Sequence, residues 1–167
     1  MLKRVLPVLL SLGLGACIPY PMQTVEPLEV TVVDATTGTP LQDIHYLRIV
    51  CDVHDFTCAH AFIDSGISPG AHLVLAGKRR WGMWSPVPGG MPVPNHQIAI
   101  WKTGYQAIIF TQYDNNIDEF SNDTPRADIK HLITQIPQDR NYLRDENPDL
   151  TLHGGLIRLR PSAPTAR

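Results

Sequence analysis

The sequence has no apolar run long enough to cross a bilayer, no extended block of basic residues, no phosphate-cradling glycine loop and no serine-centred hydrolase turn. Each absence removes a class of function. The apolar stretch from Val5 to Ile18 falls short of the roughly 20 residues that span about 30 Å of hydrocarbon, and Pro7, Gly13 and Gly15 interrupt it. With 14 Lys and Arg against 16 Asp and Glu, the formal net charge is −2, so nucleic acid and anionic lipid surfaces are poor partners. Gly77-Lys78 lacks the preceding glycine spacing and the following Ser or Thr of a phosphate loop. The histidines and serines are scattered without a Gly-x-Ser-x-Gly turn or a cysteine-centred signature. Ser65 and Ser68 sit in a stretch, Asp64 to Gly70, whose glycines and proline read as a turn.

What is present begins at the N-terminus. Met1-Leu2-Lys3-Arg4 is a basic start, an apolar stretch follows, and Leu14-Gly15-Ala16-Cys17 ends it in small residues, the layout of a secretory signal peptide. Those four residues resemble the lipobox of bacterial lipoproteins. The resemblance implies a leader of residues 1–16, cleavage before Cys17, and lipid on Cys17 as the mature N-terminus. An ordinary cleaved signal on a free periplasmic protein is the alternative. Ile18 stands where an aspartate would imply retention in the inner membrane, so the pattern implies the outer membrane, with the domain facing the periplasm. One acyl chain binds a membrane marginally and several hold it stably, which makes the membrane the first expected partner. Without Lys3 and Arg4 the basic count falls to 14 − 2 = 12 against 16, a net charge of 12 − 16 = −4. About 150 residues remain, enough for one domain with its own core.

Lipid on Cys17 leaves Cys51 and Cys58, separated by Asp52 to Thr57. An oxidising compartment permits a disulfide between them, which in a loop this short would contribute about 2–3 kcal/mol by chain entropy; free or differently paired thiols are an alternative. The same stretch also holds His54 and His60, and two sulfurs with two imidazoles are a set that zinc accepts. The spacing matches no zinc motif well, so the disulfide is the expectation, with no metal, no cofactor and no catalytic residue assigned.

Proline and glycine, 15 and 12 residues, punctuate the chain in the manner of short strands. Residues 17–27, with Pro19, Pro21 and Pro27, read as an extended lipidated tether that holds the domain off the membrane. Leu28 to Asp34 alternates as a half-buried strand, and Asp34-Ala35-Thr36-Thr37-Gly38-Thr39-Pro40 turns it. Further strands are expected at Ile44 to Val50, Ala59 to Asp64, Ala71 to Ala76, Ile98 to Lys102, Tyr105 to Tyr113 and Leu156 to Leu159. Residues 77–95 read as a long loop. One helix is expected, with Thr124 as N-cap, Pro125 at its first position and Pro137 as its stop. Its stripe is Ile129, Leu132, Ile133 and Ile136. The tail, residues 161–167, reads as disordered.

The stretch Val30 to Leu41 resembles the opening hairpin of transthyretin-like, carboxypeptidase-regulatory-like modules. Lys102-Thr103-Gly104-Tyr105 resembles their later strand start, and Leu156-Ile157-Arg158-Leu159-Arg160-Pro161 their closing strand. The resemblance implies an all-β fold. It is an Ig-like or transthyretin-like sandwich of about seven strands over residues 28–160, with the loop 77–95 and an insertion, 115–151, that carries the helix. Asp64-Ser65-Gly66-Ile67 only approximates the modules' usual central turn. Such modules act as scaffolding or binding units, so the resemblance implies a non-catalytic subunit with an envelope protein as partner.

Arg80, Trp81 and Trp84 form the best recognition candidate, since Trp and Arg are favoured at interface centres and Trp stacks on sugars and prolines. The alternative is that both tryptophans turn inward and cap the sandwich. Three functions remain open from the sequence: an envelope scaffold, a glycan or peptide binder using the tryptophans, and a small hydrolase or metalloenzyme built on His54 and His60.

Overall fold

A computed structural model describes residues 19–25, 27–51, 58, 61–83, 95–111, 126–144 and 153–163. The lipobox with Cys17, and His54, His60, Trp84, Thr124 and Pro125, lie outside the described residues. In chain order the strands are β1 (Pro19–Val25), β2 (Leu28–Asp34), β3 (Ile44–Cys51), β4 (Phe62–Ser68), β5 (His72–Leu75), β6 (Lys78–Met83), β7 (Asn95–Trp101) and β8 (Ala107–Thr111). The helix α1 (Ala127–Thr134) follows, then β9 (Arg140–Arg144) and β10 (His153–Leu159).

The architecture is an all-β sandwich with one short helix. A three-stranded sheet, ordered β10-β2-β5, faces a five-stranded sheet, ordered β4-β3-β7-β8-β9, and β1 and β6 form a separate two-stranded ribbon. The two sheets together hold eight strands, close to the seven expected. The additional sheet member, β9, lies in the insertion and pairs parallel to β8. The last strand, β10, pairs parallel to β2.

Alternation assigns the faces. Val30, Val32, Leu73, Leu75, Ile157 and Leu159 from the small sheet meet Ile44, Ile98, Ile100 and Ile108 from the large one in the inter-sheet core. The intervening residues of the large sheet, Leu47, Ile49, Ala99, Trp101, Ala107 and Ile109, point the other way and pack under Ile129, Ile133 and Ile136. The large sheet is thus covered on both faces. That is why β3 is apolar along most of its length, while β2, open to solvent on one side, alternates.

The helix stripe is as the spacing predicts: Ile129, Ile133 and Ile136 are buried and Leu132 is partly so. The helix starts later than expected, with Arg126 in the capping position and no side-chain cap. Arg126 instead grips Asp128 (Nη2 to Oδ2, 2.6 Å) and donates from Nη1 to the carbonyl of Ala61 at 2.9 Å. Its guanidinium holds the Asp128 carboxyl below the ordinary carboxylate range. The pair ties the helix start to the chain that enters β4.

Several boundaries differ from expectation. Pro19–Val25, expected as a polyproline tether, is strand β1, and Lys78–Met83, expected within a loop, is strand β6; the two pair antiparallel. A strand in a two-stranded ribbon uses one row of ladder groups, which leaves room for proline. Phe62–Ser68 is a strand through most of the expected turn at Asp64 to Gly70. The described part of the tail is not disordered either: Pro161 bridges Tyr105, and Ser162 donates its N–H to the Gly104 carbonyl at 2.9 Å.

Candidate functional site

The ribbon continues the edge of the small sheet. Leu28 pairs with Leu75 in the β2–β5 ladder, and Val25 pairs with Lys78 in the β1–β6 ladder, so the register is unchanged across the gap. The interruption falls at Pro27, which has no N–H to offer, beside Gly77. A Cβ on Gly77 would stand 3.1 Å from Pro27 Cδ and 3.1 Å from the Val25 carbonyl oxygen, so glycine is what lets the two backbones close at this joint. Beyond it the arm runs out to the pair Pro19 and Met83, with a register shift between Tyr20 and Gln23.

A polar cluster fixes the base of this arm. Arg48 stands on β3 directly across from Asp64 on β4. It is almost fully buried, 1% exposed against 30% for Asp64, with Nη2 to Oδ2 at 2.8 Å. The same Nη2 donates to the Ala76 carbonyl at 2.8 Å, which sits between β5 and β6. One guanidinium therefore joins both sheets where the small sheet gives way to the ribbon. The Phe62 ring lies 5.4 Å from the Arg48 guanidinium carbon and 4.7 Å from the Lys78 ammonium. Lys78 is the first residue of β6, so this cation–π contact holds the ribbon's root to the large sheet. Tyr46 completes the cluster at 3.5 Å from Asp64. Burial, and after it the Asp64 charge, pushes its phenol pKa up and keeps it protonated.

Cys51 and Cys58 are joined, with S–S 2.07 Å and Cα–Cα 5.2 Å. Both are buried with the helix-covered face. Their sulfurs are spent on each other, which removes the thiolates from the zinc set. Among the described residues, no three His, Cys, Asp or Glu side chains gather to hold a metal.

Of the recognition candidates, Arg80 and Trp81 lie on β6, Arg80 paired with Gln23, and Trp84 lies outside the described residues. The structure therefore sets Arg80 and Trp81 on a paired strand of the arm. Sequence reasoning missed Arg48, Asp64, Phe62 and Lys78 as a group. A lone arginine within the otherwise apolar run from Leu47 to Cys51 was the signal, because a charge is buried only with partners. Among the described residues no helix is long and apolar enough to cross a membrane. No protein-family model, curated protein or solved structure matches this chain.

Proposed function

We propose that this chain is a bacterial lipoprotein, anchored to the outer membrane through Cys17 and facing the periplasm. There it serves as a non-catalytic binding or scaffolding subunit of an envelope assembly. The cysteine arithmetic carries the reading. Cys51 and Cys58 pair with each other, as an oxidising compartment favours, and the single cysteine left is the one that ends Leu14-Gly15-Ala16-Cys17. The transthyretin-like resemblance of the strands adds support, since a two-sheet sandwich is what that resemblance implies.

The outer face of the small sheet supplies a surface for a partner. Val74 and Leu156 are 59% and 38% exposed there, among Glu29, Thr31, His72 and Arg158. Glu29 and His72 pair across it at 3.1 Å. Apolar side chains ringed by polar ones are the make-up of a protein interface.

Two measurements test the reading. Mass analysis of the N-terminal peptide should find acyl groups on Cys17; an unmodified cysteine there overturns the lipoprotein. Cross-linked pull-down from membranes should recover one protein partner with the native chain and lose it with Val74→Asp or Leu156→Asp at unchanged melting temperature. Retention on peptidoglycan, with loss in Trp81→Ala, points instead to the glycan-binding reading.

A further inference from the structure

We infer that the β1–β6 ribbon is a membrane-contacting arm whose tip enters the lipid interface beside the anchor, an inference that rests on the acylation of Cys17 proposed above. The first argument is reach. Cys17 precedes Pro19 by two residues, a span of at most about 7 Å of extended chain. Pro19 pairs with Met83, and paired Cα atoms stand about 5 Å apart. The Met83 backbone is therefore within about 12 Å of the residue that carries the lipid. The headgroup zone on each side of the hydrocarbon is itself roughly 5–8 Å deep. A folded strand that starts so close to an acylated residue leaves no spacer, and the tip of the arm sits at headgroup level.

The order of residues along the arm is the second argument. Counting back from Met83 on β6, the chain reads Gly82, Trp81, Arg80, Arg79 and Lys78. At a rise of about 3.3 Å per residue, Trp81 lies about 7 Å from the tip, Arg80 about 10 Å and Lys78 about 17 Å. Methionine and tryptophan come first and three cations follow. A strand leaving a bilayer needs that sequence, since Trp favours the interface and basic side chains favour the phosphates just outside it. The partner strand matches: Tyr20 pairs with Gly82 next to the tip, while Gln23 and Thr24 pair with Arg80 and Arg79. The chain's acidic net charge does not oppose this, because these three cations are consecutive and screening confines the others to about 8–10 Å.

The arm is fixed at its root. Lys78 rests on Phe62, and Arg48 binds the Ala76 carbonyl beside the joint. Membrane contact at the tip therefore orients the whole sandwich, where a polyproline tether would let it swing.

Tryptophan quenching in vesicles tests the arm. The acylated full chain carrying Trp84→Phe retains two tryptophans, Trp81 and Trp101, and Trp101 is buried under the helix-covered face. It is reconstituted in vesicles of phosphatidylethanolamine and phosphatidylglycerol, with or without brominated acyl chains. Emission should fall with bromine near the headgroups and fall less with bromine near the chain ends. The further change Trp81→Phe should remove the quenched component and leave the Trp101 emission, which also reports that the domain is folded. Acylated protein whose emission ignores bromine overturns the arm and leaves the lipoprotein standing. Quenching that survives Trp81→Phe also overturns the arm. A Cys17 peptide without acyl mass overturns both together.

Discussion

Tyr105 donates its phenolic hydroxyl to Asp34 Oδ2 at 2.8 Å, joining the turn after β2 to the turn before β8. Asp34 Oδ1 already accepts the backbone N–H groups of Thr36 and Thr37 at 2.7 and 2.8 Å, so one carboxylate shapes its own turn and holds the other. Gly38 closes that turn at φ +71°, where a side chain would be strained. Two of the three motifs that suggested a transthyretin-like module from sequence thus meet in one hydrogen bond between the sheets.

This bond sets an acid limb of stability. The Thr37 backbone N–H, then the Tyr105 hydroxyl, hold the Asp34 carboxyl below its ordinary value. A depressed carboxylate adds stability above the unfolded value of about 3.9 and loses it as pH falls through the folded value. Tyr105→Phe should lower the melting temperature by a few degrees at pH 7 and by less at pH 3. Asp34→Asn, which can still accept the turn amides, should do the same, and the double variant should lose little more than either alone. Calorimetry across pH checks it; additive losses would show the two residues to be uncoupled.

The disulfide closes a loop with a sequence separation of 7. Cys51→Ser with Cys58→Ser should destabilise the protein by about 2–3 kcal/mol in urea unfolding. The wild type should show the same loss when reduced, and no more.

The pair Arg48 and Asp64 should respond asymmetrically. Asp64→Ala takes the carboxylate from a buried guanidinium, which keeps its bond to the Ala76 carbonyl, and should cost about 3–5 kcal/mol, as removing one partner of a buried pair does. Arg48→Met fills the same space with apolar atoms and leaves Asp64, 30% exposed, and the exposed Ala76 to find water. Its cost should be the smaller of the two. Equal losses by denaturant titration would contradict this account of the burial.

The joint of the ribbon should be sensitive to added volume at Gly77. Gly77→Ala places a methyl 3.1 Å from both Pro27 Cδ and the Val25 oxygen, and the overpacking should cost about 1–3 kcal/mol. Hydrogen exchange should speed up in β1 and β6 while the β3–β7 ladder stays protected.

Legibility followed how local the information was. Leu28–Asp34 was readable to the residue because one face is wet and the period of two survives. The helix stripe was readable for the same reason, although its start was misplaced to Thr124 because a capping preference is weaker than packing. The ribbon was not readable. Pro19 and Pro21 argue against a strand when taken alone, and the glycine-rich segment from Gly77 argues for a loop. What makes them strands is each other, in a register inherited from Leu28 and Leu75. Arg140–Arg144 was missed likewise, since its polar sequence is an edge strand completed by β8.

By itself the sequence determined the wet and dry faces of β2 and the helix stripe, because each is a matter of spacing along the chain, and its resemblances pointed to the all-β class and to a pairing of Cys51 with Cys58. Only the tertiary structure decided that the proline segment is a paired strand, that the helix covers the second face of the large sheet, and that Arg48 clamps two sheets at the root of an arm. Those facts depend on residues far apart in sequence meeting in space. Pairing energy is shared between partners, and neither half carries its sign.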